Sequence, residues 1–489
     1  MSAFDFFNKP NRRLFLKTVL TGLIVCAAPL AAQDLQIKQS LKTITETAGL
    51  SGSKSIVVMD AVTGAVLESY NGSKNLPPAS VTKVATTLYA LSTLGVNTTF
   101  KTRLLATGPI SNGVLKGDLI LEGSGDPRLD TDALGALAEQ LKAKGIRTVR
   151  GKFHVYAGAL PYQREIDKEQ PDHVGYNPTI HGINLNFNRV FFQWRRGTEG
   201  YGLSMLAQAK KYSPEVLGIK ISTKNRTLPI FSYRSVNGKD NWVVAKAALG
   251  KGGSRWLPVR KPAEYAGEVF RTVAAWNGIR IPKHKVTEKP ISGHPVAIWE
   301  SGTIRALTKS MIKYSTNMTA ETLGLNATVK SGKSVDSLRA SGQAMTKWLE
   351  AVYGVRGAKF VDHSGLGSDS RISAHEMVRL LVNAKWDGPL RPLMKEITLR
   401  NGKWQKAPIS GAKLVVKTGT LNFASALAGY VTCPNGRKLA FAIFTADMPK
   451  RASIAKKDRE RPAGAKAWAR KSRVMQHQLI RHWIAAYGV

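Results

Sequence analysis

Three short polar motifs in a fixed order constrain this chain more than any other feature: Ser80-Val81-Thr82-Lys83, Ser315-Thr316-Asn317 and Lys417-Thr418-Gly419-Thr420. The first opens a stretch with helical spacing (Val84, Thr87-Leu88, Leu91), just after Pro77-Pro78 has stopped extended structure. A spacing of three sets the Ser80 hydroxyl and the Lys83 ammonium one turn apart on one helix face. A serine hydroxyl is a weak nucleophile and needs a neighbouring base. Lysine serves when burial or a second cation lowers its pKa. The start of a helix also offers free backbone N–H groups to developing negative charge. The second motif closes a helical run, where Ser and Asn are ordinary caps. The third ends the apolar strand Leu414-Val415-Val416 ahead of a glycine turn. Each motif alone has a plain structural explanation. All three in this order, on helix, helix end and strand, are hard to ascribe to chance.

The rest of the sequence narrows the chemistry. Only two of 489 residues are cysteines, Cys26 and Cys433, so neither a disulfide framework nor a cysteine-built zinc site is available. None of the nine histidines forms a His-x-x-x-His pair. Lys plus Arg number 72 against 33 Asp plus Glu, a formal charge of +39 that attracts anionic polymers or surfaces. Two segments concentrate it: 201–262 with 12 basic and 2 acidic side chains, and 450–473 with 10 and 2. A solvated basic face without a specific ligand accounts equally for either segment.

Residues 1–32 predict export. Lys9, Arg12, Arg13 and Lys17 precede an apolar stretch from Thr18 to Leu30, with Pro29 near its end and Ala31-Ala32 at a cleavage position. The stretch is too short for a comfortable membrane span, which takes ~20 residues. The series Asn11-Arg12-Arg13-Leu14-Phe15-Leu16-Lys17 resembles a twin-arginine signal with Asn in place of Ser or Thr; an ordinary secretory n-region is the alternative. Both lead out of the cytoplasm, to the periplasm. Export, and the lack of any nucleic-acid-reading motif, removes DNA and RNA as partners. Cell-wall polymer and membrane headgroups remain as anionic partners.

Along the mature chain, 55–59 and 65–70 predict a hairpin across an Asp60–Gly64 turn, followed by a helix from Ser80 to about Leu94. Short β-prone runs between glycine and proline turns fill about 100–289. Helical pattern returns at 262–278 and 303–329. Three antiparallel strands, 413–418, 426–432 and 438–445, precede a closing helix over 466–487. The expected organisation is a signal over 1–32, a catalytic unit of 33–104 plus 290–489, and an insert of one or two small domains over 105–289.

Ser-x-x-Lys, Ser-x-Asn and Lys-Thr-Gly are the three signatures of penicillin-binding proteins and serine β-lactamases. The separation of 235 positions from Ser80 to Ser315 is too long for a compact β-lactamase. With such an insert the chain resembles the DacB-like D-alanyl-D-alanine carboxypeptidase/endopeptidase family of low-molecular-mass penicillin-binding proteins. Gly117–Pro127, Asp362-His363-Ser364-Gly365-Leu366, Lys417–Leu421 and Ala428-Gly429-Tyr430 look like the same family. Tyr156, where many relatives carry an acidic residue, His363, and Asn422-Phe423-Ala424 depart from its pattern.

The resemblance implies an α+β/α/β fold: a transpeptidase-like (β-lactamase-like) domain, its antiparallel sheet flanked by helices, with small β-rich inserts. It implies hydrolysis of D-Ala-D-Ala ends, and of crosslinks, in peptidoglycan stem peptides through an acyl-enzyme, with β-lactams as covalent inhibitors. Ser80 is then the nucleophile and Lys83 its base, with Lys417 helping to keep Lys83 neutral. The oxyanion sits between the N–H groups of Ser80 and Thr420. Ser315 passes a proton to the leaving amine, and Asn317 binds the substrate amide and orients Lys83. Lys417 and Thr418 hold the substrate carboxylate, and Gly419 leaves room for substrate along the strand edge. No cofactor or metal is called for. A serine β-lactamase and a non-catalytic wall-binding relative are the rival readings; the intact Ser80, Lys83, Ser315, Asn317 and Lys417 argue against the second.

Overall fold

The computed structural model describes residues 40–488, so the predicted export signal and Cys26 lie outside the described residues. A six-stranded antiparallel sheet carries the motif half of the chain. Its order is Lys395–Glu396, Lys413–Leu421, Ala424–Thr432, Lys438–Ala446, Ser53–Asp60, Val66–Tyr70. Ser53–Asp60 pairs along its whole length with Lys438–Ala446, and this joins the N-terminal hairpin to the C-terminal meander. Ile56, Val58, Leu427, Val431, Phe441 and Ile443 pack against Met475, Leu479 and Trp483 of the helix Ala465–Tyr487. The alternate positions Val57, Met59, Ala426, Ala428, Ala440 and Ala442 pack against Val81, Val84 and Leu88 at the helix Thr82–Leu94, and against Met377 and Leu381 of Ala374–Asn383. Both faces are covered, so these strands read as continuous apolar runs rather than alternating ones. The small alanines on the second face leave the nucleophile helix room to lie close.

The helical pattern over 303–329 is two helices, Ile304–Tyr314 and Asn317–Lys330. Between them Ser315 adopts the left-handed conformation, φ 57° and ψ 37°. The break falls within the second motif.

From Lys101 to Glu300 the chain builds sheets of its own. One has the order His284–Thr287, Phe153–Tyr156, Leu119–Glu122, Lys101–Ala106, His294–Glu300. The strands Lys101–Ala106 and His294–Glu300, at the two ends of the segment, pair with each other. Two further three-stranded sheets bring Tyr201–Leu206, Arg189–Arg196 and Gly252–Pro258 together, and Ile219–Lys224, Lys239–Ala245 and Phe231–Val236. The segment is not β throughout. Helix Pro262–Trp276 stands at the expected place, and a second helix, Thr131–Ala143, joins it on the same core through Leu134, Leu137 and Leu141. Asp130, whose carboxylate accepts from the Ala133 N–H at 2.9 Å, caps this second helix.

Candidate active site

Ser80 lies in a short 3-10 turn, Ala79–Val81, that runs directly into Thr82–Leu94. Ala79 has φ 46°, an uncommon conformation for a residue with a Cβ. Two glycines leave space for this turn. A Cβ on Gly365 would collide with the Ala79 carbonyl, and one on Gly419 would stand 2.7 Å from the Pro78 carbonyl and 3.0 Å from the Ser80 nitrogen. The room that Gly419 provides is therefore taken by the nucleophile's own turn, not kept free for substrate.

Lys83 is fully buried, with its Nζ 3.0 Å from Ser80 Oγ, 2.9 Å from Asn317 Oδ1 and 2.7 Å from the Ser364 carbonyl. The last two partners can only accept. A neutral amine has two hydrogens and one lone pair. Satisfying Asn317 and Ser364 uses both hydrogens and turns the lone pair toward the Ser80 hydroxyl. Burial pushes the Lys83 pKa down to about 8, and the Glu321 and Asp362 carboxylates pull against it. Glu321, four residues beyond Asn317, accepts from the His363 N–H at 3.0 Å and the Ser364 N–H at 2.8 Å; Asp362 accepts from Gly365 and Gly367, each at 2.7 Å. These buried carboxylates fix the loop whose carbonyl holds Lys83.

Lys417, 1% exposed, donates to Ser315 Oγ at 3.0 Å and to the Thr418 carbonyl at 2.6 Å. Burial lowers its pKa well below the usual value, followed by the charges of Lys83 and Lys395. Thr418 and Thr420 are exposed on the same strand. The edge strand Lys395–Glu396 pairs only with Val415 and Val416, so the edge from Lys417 onward faces the cleft. The structure thus brings the five residues to one cleft in two hydrogen-bonded groups, Ser80–Lys83–Asn317 and Ser315–Lys417, with Gly419 packed on the nucleophile turn.

The cleft, about 290 Å³, is lined by Ser80, Ser315, Asn317 and Thr420, and also by Tyr176, Arg451 and other residues that the motif reading passed over. Tyr176 comes from the inserted segment, and its carbonyl accepts from Asn317 Nδ2 at 2.9 Å. No short motif marks it. Tyr156 is not part of the lining; it stands in a strand of the inserted sheet, its hydroxyl pKa raised by burial and by the Glu122 and Glu288 carboxylates. His363 is a packing residue. Its ring fills the space above Gly324, bonds Ser341 Oγ at 2.7 Å and is held neutral by burial, its pKa pushed down to about 3.

A serine at a strained turn, a buried lysine bonded to it, and a second lysine and serine across an open strand edge define a serine acyl-transfer site. The chain belongs to the D-Ala-D-Ala carboxypeptidase 3 (S13) family, which matches residues 37–468. It is thus a peptidase of the active-site serine type. It is 27% identical over 473 residues to a D-alanyl-D-alanine carboxypeptidase of Actinomadura sp. (strain R39), covering 87% of this chain and 84% of that protein. With the D-alanyl-D-alanine carboxypeptidase DacB of Haemophilus influenzae it shares 24% identity over 394 residues, 78% of this chain and 82% of that one. The crystal structure of penicillin binding protein 4 (dacB) from Haemophilus influenzae matches the fold with a TM-score of 0.71 at 21% identity, covering 90% of this chain and 99% of that chain. The same protein complexed with a β-lactam matches with a TM-score of 0.69.

Proposed function

We propose that the protein is a serine D-alanyl-D-alanine carboxypeptidase/endopeptidase that hydrolyses peptidoglycan stem peptides through an acyl-enzyme, and that β-lactams acylate the same serine. The observation that carries this reading is the triple bonding of Lys83, which leaves a neutral amine one direction for its lone pair, toward Ser80. Ser80 Oγ attacks the carbonyl between the terminal D-alanines while its proton passes to Lys83 Nζ. The tetrahedral oxyanion sits between the backbone N–H groups of Ser80 and Thr420. Ser315, held by Lys417, hands its proton to the leaving nitrogen as the C–N bond breaks and takes the proton held on Lys83 in its place. Thr418 receives the substrate carboxylate, whose charge draws Lys417 back toward its protonated form. Water then attacks the ester, and Ser80 recovers its proton.

The same reading takes the motif-bearing parts of the chain on either side of Lys101–Glu300 as the catalytic unit and that segment, bounded by its paired end strands, as accessory. It places the mature enzyme outside the cytoplasm, in the periplasm, with its basic insert against an anionic wall or membrane surface. No helix among the described residues is long and apolar enough to cross a membrane.

Labelling with a fluorescent penicillin tests the chemistry. The wild type forms a covalent adduct on Ser80 by mass spectrometry, and Ser80→Ala forms none while keeping its thermal unfolding profile. An adduct on any other residue refutes the mechanism.

A further inference from the structure

The inserted segment holds a cavity of about 420 Å³ that shares no lining residue with the catalytic cleft. Its walls include Tyr162, His181, Tyr233, Arg260, Lys261 and the first turn of the helix Pro262–Trp276. Two buried side chains there carry a nitrogen without a hydrogen-bond partner. Arg260, 2% exposed, gives Nη1 to the carbonyls of Arg164 and Asn177 and Nη2 to that of Asp172, but its Nε–H has no acceptor. His181, 4% exposed, turns Nε2 toward the Glu288 carboxylate at 3.2 Å and leaves Nδ1 unpartnered. Burial lowers the His181 pKa, with Glu288 pulling against it, so the ring is neutral at pH 7. A neutral ring with its proton on Nε2, facing Glu288, keeps a lone pair on Nδ1. One donor and one acceptor are thus left open in the same cavity. Buried polar groups are normally paired, and hydroxyls, which both donate and accept, satisfy both.

Charge and ring surface add to this polar pair. Lys261 is the N-cap of Pro262–Trp276 and makes no side-chain cap bond, so the positive end of a 15-residue helix opens beside its ammonium. The carboxylates near Lys261 have partners of their own. Glu264 pairs with His284 at 2.6 Å, and Asp240 accepts from the Arg260 N–H and the Tyr233 hydroxyl, each at 2.8 Å. Among the described residues Lys261 forms no salt bridge. Tyr162 is 48% exposed and stands edge-on to His181, with 5.5 Å between ring centroids. Aromatic surface with a few directed polar groups is the make-up of a small-molecule pocket. We infer that this cavity binds an acidic saccharide, with the sugar ring against Tyr162, its hydroxyls on Arg260 and His181, and its carboxylate at Lys261. A muramyl unit of wall glycan freed of its peptide has that chemistry. Holding such a unit, the insert tethers the enzyme to the glycan while Ser80 works on a stem peptide elsewhere on the polymer.

The test titrates the full enzyme by ligand-observed NMR, after penicillin has acylated Ser80 and closed the catalytic cleft. The probes are N-acetylmuramic acid, N-acetylglucosamine and lactate: ring with carboxylate, ring alone, carboxylate alone. N-acetylmuramic acid should bind more tightly than either of the others by about 10-fold or more, the scale of a charge-assisted hydrogen bond. Lys261→Gln should reduce its affinity to that of N-acetylglucosamine, while Lys261→Arg, which keeps the charge, retains the preference. Tyr162→Ala should weaken both sugars and leave penicillin labelling of Ser80 unchanged; if that variant fails to fold, the two substitutions at the partly exposed Lys261 decide. Absence of saturable binding to the wild type, equal binding of the three probes, or an affinity unchanged in Lys261→Gln marks a hydrated cavity only and overturns the site. Failure of penicillin to acylate Ser80 overturns the acyl-transfer reading instead; the same titration on the unacylated enzyme then still decides the cavity.

Discussion

Burial sets the sign of the pH dependence at Lys83. Its pKa falls to about 8, and desolvation is the largest cause; the counteracting carboxylates are Glu321 and Asp362. The reacting form is the neutral amine, so at pH 7 roughly a tenth of the enzyme is ready to acylate. The second-order rate of penicillin acylation should therefore climb nearly tenfold per pH unit below about 8 and level off above it. Lys83→Arg should be almost inactive at every pH and lack this limb, because guanidinium does not surrender its proton. A wild-type rate that stays flat from pH 6 to 9 in stopped-flow acylation would rule out Lys83 as the base. Lys417 shows the same burial, but its second cause is the charge of Lys83, so the two lysines disfavour one another's protonation.

Among the elements, the break between Ile304–Tyr314 and Asn317–Lys330 has the most consequence. A continuous helix would send residues 315 and 317 to different faces, about 200° apart. The left-handed Ser315 instead brings its hydroxyl to Lys417 while Asn317 reaches Lys83. That conformation disfavours any residue with a Cβ. Ser315→Gly should therefore be more stable than Ser315→Ala by about 1 kcal/mol, read from urea midpoints. Both should slow acylation to a similar degree, since both lose the hydroxyl. An alanine variant as stable as the glycine one would contradict the backbone geometry.

Over the whole molecule the basic surplus divides into two populations. Arg260 is buried, and its guanidinium donates to the carbonyls of Arg164, Asn177 and Asp172, so it ties the insert together. Lys211 pairs with Glu139 at 2.6 Å. Lys220, Lys224, Arg234 and Lys239 are exposed, and the strand pairing places them on one face of the Ile219–Lys224, Lys239–Ala245, Phe231–Val236 sheet. Attraction from such exposed charges is screened over ~8 Å at physiological salt. Pelleting with isolated wall sacculi should weaken steeply as salt rises, while hydrolysis of a small soluble D-Ala-D-Ala peptide changes far less. Replacing these four side chains by glutamine should reproduce the high-salt behaviour at low salt. If the quadruple variant pelleted as well as the wild type, this face would be merely solvated.

The sequence by itself determined the elements that depend on near neighbours. The continuous apolar runs of Ser53–Asp60 and the C-terminal strands, and the i, i+3 pairing of Ser80 with Lys83, are local patterns, and they were legible without coordinates. The motifs could be recognised because their residues touch the reacting atoms and leave a short signature. Tertiary structure decided what depends on contacts between distant segments. Tyr176 meets Asn317 across 141 residues, Glu321 grips the Ser364 loop across 43, and Asn422 receives Arg451 across 29. The purpose of Gly419 likewise became clear only when the Ala79–Val81 turn was seen lying against it. Such pairings carry no period in the chain, because burial and loop closure, rather than propensity, bring them together.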